Sequence, residues 1–141
     1  MGGQPQVSVI EFAVPLPHVG LRRNSETRNT RYRAALKRQF QEDVWIACST
    51  APAGVNLLSL PWARASVHYI WYSTHATDAD NIISTMKPAL DVLKATGPRP
   101  LAILVDDGPG VSVTAEWKKA AKRTLEGVTI RITREEERSH E

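Results

Sequence analysis

Apolar and polar positions alternate along Gln6–Val14 (QVSVIEFAV), which predicts a β-strand stopped by Pro15 and Pro17. Ala63–Thr74 (ARASVHYIWYST) alternates more strongly. It sets Val67, Tyr69 and Trp71 to one side and Ser66, His68, Ile70 and Tyr72 to the other. The period changes between these strands. Tyr32, Leu36, Phe40, Val44 and Ala47 recur at helical spacing, so a helix capped by Thr30 should run to about Cys48. A second helix is expected from Asp78 to Thr96, closed by Gly97. Pro88 falls inside it, so the helix either kinks there or begins again with Pro88 in its first turn. Ser49–Trp62, with two prolines and a glycine, reads as a connection, and Leu101–Val105 as a short apolar run leading into Asp106 and Asp107. Gly108–Gly110 is a turn, and Val111–Trp117 and Val128–Thr133 are closing strands. The order β-α-β-α-β-β without a repeat predicts an α+β domain: a small mixed or antiparallel sheet with two main helices packed on it. Residues 1–134 form a single domain in this reading, and 135–141 a charged tail.

The chain length of 141 residues fits one domain with a modest core, and 42% hydrophobic residues suffice to fold it. No apolar run approaches the roughly 20 residues of a membrane helix. The leading MGGQPQ has neither a basic n-region nor an apolar h-region. A single cysteine, Cys48, excludes an internal disulfide and a multi-cysteine zinc site. These features together predict a cytoplasmic protein. Cys48 falls on the apolar side of its helix and is expected to pack, as is His68 in its strand.

The net charge of +3 is unevenly spread. The final REEERSHE carries −2, which leaves +5 on the rest. Between His18 and Arg38 stand Arg22, Arg23, Arg28, Arg31, Arg33, Lys37 and Arg38 against one acid, Glu26. The helical members lie mostly off the apolar stripe. Such a face either stays solvated or attracts a polyanion.

Asp78 and Asp80 open the second predicted helix directly after a strand. Acids in a first turn favour the helix dipole by roughly 0.3–1 kcal/mol each, which accounts for either aspartate alone. Two side chains two apart on an extended segment also point the same way, so both carboxylates could reach one point. Asp106 and Asp107 end another apolar run. Three carboxylates held together would repel, and a divalent cation removes that conflict. An all-oxygen ligand set suits Mg2+, with Mn2+ as substitute, and not zinc. Such ions can activate water and stabilise the leaving oxygen in phosphodiester hydrolysis. No glycine-rich phosphate loop with a following lysine is present.

DADN at 78–81, the helix with Lys87 and ALDVL at 89–93, and the later VDD before a strand resemble the RusA family of Holliday junction resolvases. The resemblance runs from the first strand to VTIRIT. It implies a small α+β homodimer that binds four-way DNA junctions and uses Mg2+ to cut two strands of like polarity. Carried over, the metal ligands are Asp78, Asp80 and Asp107, with Asp106 the alternative to the last. The family's lysine usually follows the second aspartate by four residues, where Ser84 stands. Lys87 comes seven after it, on nearly the same helical face, and keeps a spacing of four to Asp91. An insertion before Lys87 explains this, and Lys87 is then the group that stabilises charge on the phosphate. The basic residues listed by position above would hold the junction arms through their phosphates. Two other functions fit the same residues: a DNA-binding accessory protein without catalysis, or a metal nuclease acting on forks or flaps.

Overall fold

Residues 9–18, 21, 30–50, 61–94, 103–104 and 110–135 are described by a computed structural model of the chain. Strand β1 is Val9–Val14, helix α1 Thr30–Ser49 and strand β2 Ala65–Ser73. Helices α2 (Ala79–Thr85) and α3 (Lys87–Leu93) follow, then strands β3 (Val111–Lys119) and β4 (Gly127–Arg134), with a 3-10 turn at Arg123–Leu125 between these two. The strands form one sheet in the order β1-β4-β2-β3. β4 runs antiparallel to β1 and β2, while β2 and β3 are parallel. The α+β class and the mixed sheet agree with expectation; the helix count does not.

The single helix predicted over 78–96 is two. Pro88 has no N–H for the carbonyl four residues back, and its ring crowds that carbonyl. The chain therefore ends α2 at Thr85 and starts again at Lys87, with Met86 as the shared cap and Pro88 in the first turn of α3. Ala89 and Leu90 both donate backbone N–H bonds to the Met86 carbonyl, at 2.9 and 3.1 Å. Proline is tolerated in a first turn because no intrahelical acceptor awaits its N–H. Together α2 and α3 make the crossover that the parallel pair β2–β3 requires.

The core lies between the helices and one face of the sheet. Phe12 and Val14 of β1, Val67, Tyr69 and Trp71 of β2, and Val128, Ile130 and Ile132 of β4 pack against Phe40 and Val44 of α1 and Ile82, Met86 and Leu93 of the split pair. Tyr32 is not part of it. It is 47% exposed and meets the His18 ring edge-on, with centroids 6.0 Å apart. Trp62, expected in a connection, is 2% exposed. Its N–H donates to the Ile103 carbonyl at 2.7 Å, while Ile103 and Leu104 donate to the Leu93 carbonyl at 3.0 Å. Three short segments are thereby tied at one end of the core.

The other face of the sheet is polar. His68 stands on it and not in the core, contrary to expectation: alternation places it opposite Val67 and Tyr69. Its Nδ1 is 2.7 Å from Thr114 Oγ1 and its Nε2 is 2.6 Å from Glu116 Oε2. Arg131 pairs with Glu11 at 2.7 Å on the same face. The His68 hydrogen bond holds the Glu116 carboxyl below its ordinary value of 4.5, helped by Lys118.

Two consequences can be measured. A methyl on Gly110 would lie 2.2 Å from the Ala63 carbonyl oxygen, a backbone atom that cannot swing aside. Gly110→Ala should therefore cost about 1–3 kcal/mol in urea unfolding, the range of overpacked sites; a neutral result contradicts the packing. For Glu116 the folded-state pKa is depressed, so its stabilisation is complete above 4.5 and disappears as pH falls through the folded value. Thermal melts of wild type and Glu116→Gln should differ at neutral pH and converge in acid.

Candidate metal and nucleic-acid site

β2 ends at Ser73, and the link to α2 carries the aspartates. Ala120 N–H donates to the Ser73 carbonyl at 3.0 Å. The Trp117 indole N–H donates to the Ser73 hydroxyl at 3.0 Å, and that hydroxyl donates to the His75 carbonyl. Thr74 gives both its N–H (2.9 Å) and its hydroxyl (3.2 Å) to one carboxylate oxygen of Glu126. The link is thus anchored to the end of β3 and to the β3–β4 connection before it reaches Asp78.

Asp78 takes the N-cap position with extended backbone (φ −70, ψ 147), and its carbonyl accepts from Ile82 N–H at 3.0 Å. Its side chain makes no capping hydrogen bond. Asp80 lies in the first turn of α2, and both aspartates are exposed. The extended-segment argument for their common direction does not apply, because the helix begins at Ala79. They share one helix start, Asp78 at the N-cap and Asp80 in the first turn. Two exposed oxygen donors there, neither used by the cap, are chemically suited to Mg2+ or Mn2+.

Asp106 and Asp107 lie outside the described residues, as do Arg22, Arg23 and Arg28. Leu104 and Gly110, each three residues from Asp107, are described. Leu104 bridges to Trp62 and Lys94, and Gly110 accepts a hydrogen bond from Ala65 at the start of β2. Asp78 follows the other end of that strand. Ala65 to Ser73 spans roughly 26 Å at about 3.3 Å per residue, whereas three residues reach at most about 11 Å. Among the described residues no group of three or more potential ligands is assembled.

The remaining basic candidates, Arg31, Arg33, Lys37 and Arg38, are all exposed on α1. Lys87 is 58% exposed and lies 3.9 Å from Asp91; Lys94, 15% exposed, is closer to the same carboxylate at 3.1 Å. Asp91 in turn affects the core. The Tyr69 hydroxyl is fully buried without a hydrogen-bond partner among the described residues, and its pKa is raised by burial first and by Asp91 second. Burial also pushes the Cys48 thiol up to about 11, which suits packing and opposes a nucleophilic role.

No protein-family model matches this chain, and a search of curated proteins finds no match either. The likeness to the RusA family rests on the motifs quoted from the sequence. No helix among the described residues is long and apolar enough to cross a membrane.

One set of cations was missed in the sequence. Lys119, at the end of β3, and Lys122 and Arg123, on the connection whose Glu126 holds Thr74, are exposed. The run KKAAKR carried the signal, but nothing in it revealed that the connection turns beside the aspartate link. A stability measurement separates ligand from cap at Asp78. Losing a true capping side chain costs typically ~1 kcal/mol. Asp78→Ala should cost clearly less than that in urea unfolding without divalent ions.

Proposed function

We propose that the protein is a divalent-metal-dependent endodeoxyribonuclease acting on branched DNA, with the four-way junction as its substrate. The observation that carries this reading is the pair of exposed carboxylates at the start of α2, not consumed by capping, on a link anchored to the end of β3 and to the β3–β4 connection. The exposed cations of α1 and of the β3–β4 connection would hold the phosphate backbone on either side of that link.

Asp78 and Asp80 would hold the cation, and Asp107 would supply the third carboxylate. When bound, the ion contributes Lewis-acid polarisation of the phosphodiester and activation of water. The flanks of Asp107 sit at the far end of β2 from Asp78, so we assign the third ligand to a second copy of the chain. A homodimer related by a two-fold axis then has two such sites, as paired nicks on a symmetric junction require. Lys87 adds positive charge further along the same helical crossover.

The first test compares cutting of junction, fork and linear duplex at fixed salt with Mg2+. Junction cutting should dominate, and Asp80→Asn should abolish it while binding persists. Mixing separately inactive Asp80→Asn and Asp107→Asn chains should restore single nicks, because a mixed dimer keeps one intact site. No restoration places all ligands in one chain; undiminished cutting by Asp80→Asn removes the aspartates from the mechanism. A DNA-binding accessory role is favoured instead if calorimetry finds no Mg2+ or Mn2+ binding and no substrate is nicked.

A further inference from the structure

A sheet edge presents backbone donors and acceptors that a further strand can pair with. In the order β1-β4-β2-β3 the edges are β1 and β3. They differ on the core side. On β1 that row is covered, with Phe12 and Val14 buried. On β3 the row of Val111, Val113, Ala115 and Trp117 packs against the core yet stays half-buried along its whole length. The matching residues of the inner strands, Val67, Tyr69 and Trp71 of β2 and Val128, Ile130 and Ile132 of β4, are all buried. All nine residues of β3 pair with β2 on one side. On the other side β3 pairs with no strand among the described residues.

We infer that this edge takes a second copy of itself, β3 pairing antiparallel with the partner's β3 about a two-fold axis at Ala115. The strand is self-complementary in that register, as an isologous contact requires. Val111 meets the partner's Lys119 and all nine residues find a counterpart. On the core side Val113 faces the partner's Trp117, and Ala115 faces the partner's Ala115 at the axis. On the open side Ser112 faces the partner's Lys118 and Thr114 faces the partner's Glu116, so hydroxyls stand opposite charges. Moving the axis one residue to Glu116 would set two carboxylates directly opposite, which destabilises a strand pair.

The two sheets become one of eight strands, with both helical layers on the same side. The pairing also shortens one distance. Ser73 is in register with Lys119, and Lys119 then with the partner's Val111. Two strand spacings of about 4.8 Å set Ser73 roughly 10 Å from the partner's Val111. Within one chain Val111 is in register with Ala65 instead, roughly 26 Å from Ser73 at about 3.3 Å per residue. The interface stands on β3 alone. Its use, which is to bring the partner's Gly110 to the end of the sheet that carries Asp78, rests on the proposed function.

Sedimentation velocity on the full chain should show a dimer. Ser112→Cys with Lys118→Cys, both at exposed positions, then reports the register. Within one chain these positions lie about 20 Å apart at about 3.3 Å per residue, beyond the reach of a disulfide. Between copies they face each other. Mild oxidation should therefore give a covalent dimer of the double variant, while neither single variant cross-links; Cys48 is common to all three. Ser112→Lys sets two ammonium groups opposite each other at both ends of the interface and should weaken dimerisation several-fold, and adding Lys118→Glu should restore it. A chain that sediments as a monomer at every concentration overturns the proposal, as does a dimer in which the double variant cross-links no better than the single ones. A dimer cross-linked at these positions that cuts no DNA with Mg2+ sinks the nuclease reading and leaves the interface. Junction cutting by a chain that stays monomeric does the reverse.

Discussion

Pro88 cannot donate a backbone hydrogen bond, and the candidate site is arranged around that one missing donor. Met86, fully buried, closes α2 and opens α3 in place of a continuous turn. The Pro88 carbonyl accepts from the side-chain amide of Gln41 at 3.1 Å, and Gln41 is 7% exposed on α1. A buried amide with a partner contributes modestly, while the same amide without one would cost roughly 1–3 kcal/mol. The bond therefore selects one placement of α1 against the break. That placement puts Arg33 and Lys37 opposite Ser84 and Lys87.

The sheet contributes a different constraint. β2 has a parallel partner on one side and an antiparallel partner on the other, so its backbone is paired along both edges. One end delivers the aspartate link, already tied by Ser73, Trp117 and Glu126; the other receives Gly110. Parallel pairing forces the crossover to return along the length of β2 before β3 can begin. This topology separates Asp78 from the flanks of Asp107. Charge follows the same division. The helical side and the β3–β4 connection expose cations, while the open sheet face neutralises its own through Glu11 and Glu116.

Much of the fold was legible in the chain. Alternation marked β2 and β4 because each turns one face to the core, and the 3.6-residue stripe marked α1 because one side meets the core. Pro88 announced a break, though not which of two forms it would take. Trp62 and the pair Ile103–Leu104 were illegible as core, since isolated bridges have no period. Tyr32 matched the helical stripe yet stays half-exposed and meets His18 instead of the core.

By itself the sequence determined the α+β class, the strand and helix order up to the break, the acidic helix start and the basic segment. These are local properties, set by side-chain period, backbone donors and charge along the chain. Tertiary structure alone decided which residues face one another: His68 toward Glu116, Glu126 toward Thr74, and Arg33 toward Lys87. It also decided that the Asp78 carboxylate is not a cap. Those relations depend on strand order and helix placement, and residues 48 or more apart in the chain have no spacing from which they could be read.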